Sequence, residues 1–103
     1  MNHSELYEVL RLEVNKHIDL YLEDKFLPTV ERAQLTHERE SVVSIGISML
    51  MTRWNVGVPG GSFVQAVSDN NLSQSILTAD HINRHIIAFY VKLLYNADPR
   101  IIR

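Results

Sequence analysis

The chain contains no cysteine, which excludes disulfides, thiolate nucleophiles and cysteine-based metal sites together. A cysteine-free chain suits a reducing compartment. Long apolar runs are missing too: no window reaches the roughly 18 consecutive apolar residues of a membrane span. The first residues, Met1-Asn2-His3-Ser4-Glu5, have neither the basic start nor the apolar stretch of a signal peptide. A cytosolic protein is expected. Neither sign of charge prevails, since ten Lys and Arg face twelve Asp and Glu for a formal net charge of −2. No overall basic field therefore draws the chain to nucleic acid or to an anionic membrane.

Recognisable catalytic signatures are also lacking. There is no Gly-x-Ser-x-Gly elbow and no Gly-Lys-Ser/Thr phosphate loop. What the chain does hold is an apolar fraction of 46% over 103 residues, enough for one modest core in a single domain spanning residues 1–103. Internal repeats and strand-like alternation are absent. The expectation is an all-α fold, a compact bundle of about four helices: two long ones first, then a short one, then a long C-terminal one.

Residues 4–27 read as the first helix, with Leu6, Leu10, Val14, Ile18 and Tyr21 at three- and four-residue steps. Asn2 with Glu5 has capping-box spacing, and Pro28 is expected to end the helix. Thr29 to Leu35 reads as a connector or a short helical turn. Thr36 is placed to cap a second helix over residues 37–54. Val42, Val43, Ile45, Ile47, Met49, Leu50, Met51 and Trp54 cover most of that helix, leaving a stripe of small residues, Ser41, Ser44, Ser48 and Thr52, with Gly46 nearby. A helix apolar nearly all round is buried, and small residues admit a neighbouring backbone. It reads as the central helix, or as one that packs on a second copy, so a homo-oligomer is expected.

The clearest break is Asn55-Val56-Gly57-Val58-Pro59-Gly60-Gly61. Ser62 with Gln65 has capping-box spacing for a short helix, and Asn71 with Gln74 for another turn. Thr78 is placed to cap a last helix over residues 79–96, with Ile82, Ile86, Phe89, Tyr90 and Leu93 inside and His81, Arg84, His85 and Lys92 outside.

Three groupings can carry chemistry. Gly60-Gly61-Ser62 leading into a helix offers free amides for an anion; the alternative is a sharp turn between helices. His81 and His85 stand four apart, but no further ligand has matching spacing, so a solvated basic face is expected and no metal or cofactor. Asp80 and Asn83, with Asn70, Asn71 and Asn96, can read a polar ligand by hydrogen bonds or can serve as local caps.

The order Pro59-Gly60-Gly61-Ser62-Phe63-Val64-Gln65-Ala66-Val67, Asn70-Asn71-Leu72, Ala79-Asp80-His81-Ile82-Asn83, then Tyr95-Asn96 and Pro99 resembles a family of small uncharacterised bacteriophage proteins. That family tends to read Pro-Gly-Ser/Gly-Phe, Ala-Val-Leu, Asn-Asp-Leu, Ala-Asp-x-x-Asn and Tyr-Asn-x-x-Pro. The likeness covers residues 59–99 and departs at Ser68, often leucine, and Asn71, usually an acid. It implies a phage-encoded protein acting in the host cytoplasm and assigns no activity. The expected function is a non-catalytic counter-defence factor that sequesters a phosphate-bearing small molecule such as a nucleotide signal. Gly60, Gly61, Ser62, Asn70, Asp80, Asn83 and Arg84 are the candidate ligand-binding residues. The alternatives are an inhibitor that binds a host protein, steered by charged helix faces, and a minor virion or assembly component.

Overall fold

A computed structural model describes all 103 residues. It is entirely helical: α1 (His3–Leu22), α2 (Thr29–His37), α3 (Arg39–Arg53), α4 (Ser62–Ser68), α5 (Leu72–Thr78) and α6 (Ile87–Asn96), with 3-10 turns at Asn83–Ile86 and Pro99–Ile102. The class expected from sequence holds. The count does not, because two of the long helices are shorter than the apolar pattern suggested and the connector is a helix in its own right.

At the start of α1 the reciprocal cap forms: Asn2 accepts from the Glu5 amide at 2.8 Å and donates to the Glu5 carboxylate at 2.8 Å. The helix stops at Leu22, five residues before the boundary that Pro28 suggested. Arg32 is the reason. Its guanidinium donates to the carbonyls of Leu22 at 3.0 Å and Asp24 at 2.7 Å, supplying the partners that a helix C-terminus lacks. Pro28 instead opens α2 as its N-cap residue. Thr36 lies inside α2 and caps nothing. Glu38 is the single joint between α2 and α3, and Arg39 pins the start of α3 to α1 by donating to the Asn15 side chain at 2.9 Å and to Asp19 at 2.8 Å.

The central position of α3 is as expected. Val42, Val43, Gly46, Ile47, Met49, Leu50 and Met51 are buried, and α1, α2, α4 and α6 all pack against the helix. Gly46 marks the tightest crossing, since a Cβ there would sit 2.7 Å from Val14 Cγ1 on α1 and 3.3 Å from Leu93 Cδ2 on α6. One chain thus covers most of its own greasy helix, with Ile45 and Trp54 half-buried. Against α3 lies an aromatic run: Phe89 meets the edge of Tyr21 with ring centroids 5.4 Å apart, and Tyr90 meets Phe63 at 5.8 Å.

The last helix begins at Ile87, eight residues after its expected start. Thr78 closes α5, donating its hydroxyl back to the Gln74 carbonyl at 2.6 Å. Ala79 is extended. Asp80 then folds its carboxylate onto the amides of Ile82 at 3.1 Å and Asn83 at 2.8 Å, a local bond that competes with α-helix and starts a 3-10 turn instead. At the other end of the fold, Asp98 caps the final turn through the Arg100 amide at 2.9 Å. Its own amide donates to the buried carboxylate of Glu13, which also holds His17 Nε2 at 3.0 Å and Lys16 Nζ at 3.4 Å.

Candidate functional site

The small-residue stripe of α3 does admit a neighbouring backbone. The Gly60 amide donates to Thr52 Oγ1 at 2.8 Å, and a Cβ on Gly60 would lie 2.6 Å from Ser48 Oγ and 2.5 Å from Val64 Cγ1. Glycine is required at this position for close packing, and its amide is already engaged. Gly61 has open space around it and is the extended N-cap residue of α4. Ser62 is therefore the first helical residue and not a cap. Gln65 does reach back, but its amide donates to the Gly60 carbonyl at 2.8 Å. The junction is a sharp turn whose first glycine is a packing residue and whose second faces water.

One turn earlier on α3 the same stripe borders a different segment. Ser41, Ser44 and Ile45 from α3 and Asp80, Ile82 and Asn83 from the turn before α6 line an open cleft of about 230 Å³. Asp80 is fixed there by its two backbone bonds through Oδ1, while Oδ2 makes no hydrogen bond. Asn83 is only 8% exposed. Its Oδ1 accepts from the Tyr90 hydroxyl at 2.6 Å, and its NH2 group makes no hydrogen bond within the chain. No fully buried side-chain N or O lacks a partner, so that NH2 group retains some exposure, and Asn83 lines the cleft. Burial, and secondarily the Asp80 charge, push the Tyr90 hydroxyl well above its ordinary pKa, which keeps it a neutral donor to Asn83.

The candidate residues therefore divide. Asp80 and Asn83 share the cleft, and Gly60 sits against Ser48, one helical turn from Ser44 on α3. Asn70 does not join them: it has a left-handed backbone (φ 60°) between α4 and α5 and lines a groove with Val67, Leu72, Ser75, Ile87 and Val91. Arg84 is exposed and lines neither cavity. His81 stands in the turn and His85 in the 3-10 segment, so the α-helical i, i+4 alignment assumed for them is lost. No group of three or more His, Asp or Glu side chains is placed to hold a metal ion. Sequence reasoning had flagged Ser41 and Ser44 only as small; their hydroxyls are half of the cleft's polar wall.

Tyr90→Phe tests this geometry. Removing the hydroxyl leaves the Asn83 oxygen buried without its donor, so a loss of about 1–3 kcal/mol is expected in urea unfolding. A neutral result would mean that water replaces the hydroxyl.

Two other open depressions carry less. The one along α1 and α3 contains Arg11 and Arg39, but these guanidiniums are tied to Glu8 and to Asn15 and Asp19, and Glu40 shares the wall. The one between α1 and α6 places Lys92 Nζ 5.1 Å over the Tyr21 ring, a cation–π contact that occupies the ammonium. No helix is long and apolar enough to cross a membrane. No protein family, curated protein or solved structure matches the chain.

Proposed function

We propose that this chain is a small non-catalytic helical protein that captures a nucleotide-like molecule in the serine-lined cleft. In keeping with the phage-like order of its motifs, we place it as a counter-defence factor in the host cytoplasm. The observation that carries the reading is the pair of unfilled groups on one wall: the Asn83 NH2 donor and Asp80 Oδ2 acceptor, with Ser41 and Ser44 opposite. A ligand that presents one donor and one acceptor side by side, as a nucleobase edge does, satisfies both. The Asp80 carboxylate repels phosphate from the cleft itself. The phosphate of such a ligand extends away from Asp80, toward solvent, and the base is the recognised part.

The test is a panel of nucleosides, linear nucleotides and cyclic dinucleotides in thermal unfolding. A ligand at ten times its Kd stabilises by about 1.4 kcal/mol, a rise of roughly 5–10 °C in Tm for a domain of this size. Ser44→Phe, an exposed α3 position that fills the cleft, is expected to abolish the rise without lowering the unliganded Tm by more than a few degrees. No shift from any member at near-millimolar concentration, or a shift that survives Ser44→Phe, overturns the proposal.

A further inference from the structure

Asp80 and Asn83 are each held in one orientation by bonds made behind the cleft wall. Asp80 Oδ1 accepts from the amides of Ile82 at 3.1 Å and Asn83 at 2.8 Å, which uses both lone pairs of that oxygen. Oδ2 accepts no hydrogen bond within the chain, so both of its lone pairs are open. The Asn83 amide is set in the same way. Its Oδ1 takes the Tyr90 hydroxyl at 2.6 Å, which leaves the NH2 group as its free end. The wall therefore offers two acceptor sites together on Asp80 and a donor on Asn83, both residues lining the cleft.

We infer, resting on the nucleotide-capture reading above, that this cleft selects guanine among the nucleobases. The ligand edge that fits the wall carries two adjacent donors followed by one acceptor. Guanine has that order on its pairing edge: the N2 amino group, N1–H and the O6 carbonyl. N2–H and N1–H donate to Asp80 Oδ2, and O6 accepts from the Asn83 NH2 group. Adenine and cytosine each bring one donor group beside a ring-nitrogen acceptor, leaving an Oδ2 lone pair without a partner. Uracil fits worse, because its N3–H lies between two carbonyls and one of them meets the carboxylate. Hydrogen bonds to an ionised acceptor are the stronger kind, so the second donor decides the choice. Size agrees with pattern. A dry cavity of about 150 Å³ takes a benzene-sized group, so a cleft of about 230 Å³ has room for a bicyclic base, with Ile45 and Ile82 as its apolar contacts.

Isothermal titration of the full chain with the ribonucleoside monophosphates of guanine, hypoxanthine, adenine and cytosine is the test, since all four share one sugar and phosphate. The guanine nucleotide is expected to bind at least about tenfold more tightly than those of adenine and cytosine. Hypoxanthine differs from guanine only in lacking the N2 amino group, and should bind at least about threefold less tightly than guanine. Asp80→Asn keeps an oxygen for the Ile82 and Asn83 amides but puts a donor where Oδ2 stood. It should erase the preference for guanine with unchanged circular dichroism. Adenine or cytosine bound as tightly as guanine overturns the inference and leaves nucleotide capture standing. So does hypoxanthine matching guanine, or a preference that survives Asp80→Asn. Binding of none of the four overturns both readings together.

Discussion

Gly46→Val is expected to be among the most damaging single substitutions in the core, a loss of at least about 3 kcal/mol. Alanine already shows why. In an exposed helix, Gly→Ala gains about 1 kcal/mol through backbone entropy. At Gly46 the new methyl would stand 2.7 Å and 3.2 Å from the two methyls of Val14, and 3.3 Å from Leu93. Overpacking costs typically about 1–3 kcal/mol against a propensity gain of about 1 kcal/mol, so Gly46→Ala is expected to lower stability by up to about 2 kcal/mol. Valine adds two more methyls where α1, α3 and α6 already touch, and the helices must separate. Urea unfolding measures both changes. Val14→Ala should restore most of the loss in the Gly46→Ala background, because the two sites share one contact. A Gly46→Ala variant more stable than wild type would show that α1 and α6 are free to shift.

Phe89→Ala comes next, with an expected loss of about 3–5 kcal/mol. Its ring is buried and meets Tyr21 on one side and Tyr90 on the other, with centroids 5.4 and 5.5 Å apart. Truncation opens a cavity and removes two aromatic contacts together. Domains of this size hold about 5–15 kcal/mol in total, so the variant should melt well below the wild type. Phe89→Leu keeps most of the volume and should lose less than half as much. Near-ultraviolet circular dichroism follows the result, since Tyr21 and Tyr90 lose their fixed neighbour. Equal losses for leucine and alanine would show that aromatic contacts, and not filled volume, hold the two tyrosines.

Burial was the most legible part of the sequence. The period of α1 and the apolar wrap of α3 identified Leu10, Val14, Ile18, Val42, Ile47, Met49 and Leu50, all of which are buried. The cap at Asn2 and the one at Asn71, which accepts from the Gln74 amide at 3.0 Å, followed from spacing alone. Boundaries set by distant partners were not legible. Arg32 ends α1 from another helix, and nothing near Leu22 announces it. The late start of α6 had a local signal in Asp80, but helical periodicity in Ile82, Ile86, Phe89 and Tyr90 masked it, because a 3-10 turn and an α-helix bury nearly the same positions over one turn. The candidate site was half legible for the same reason. Asp80 and Asn83 are chain neighbours and stayed together, whereas adding Arg84 assumed a continuous helix from residue 79, and adding Asn70 rested on its amide alone, with no spacing that ties it to Asp80. Which side of α5 is buried was hidden by its length, since seven residues are too few to show it until its neighbours are in place.

The carboxylate of Glu13 has a consequence for synthesis. Its partners His17 and Lys16 emerge from the ribosome within a few residues of it, but the Asp98 amide comes 85 positions later. Until then α1 also lacks Phe89 to cover Tyr21. The N-terminal half cannot complete its interior alone, so the nascent chain should stay sensitive to protease until residue 98 has cleared the exit tunnel, and then become resistant in one step.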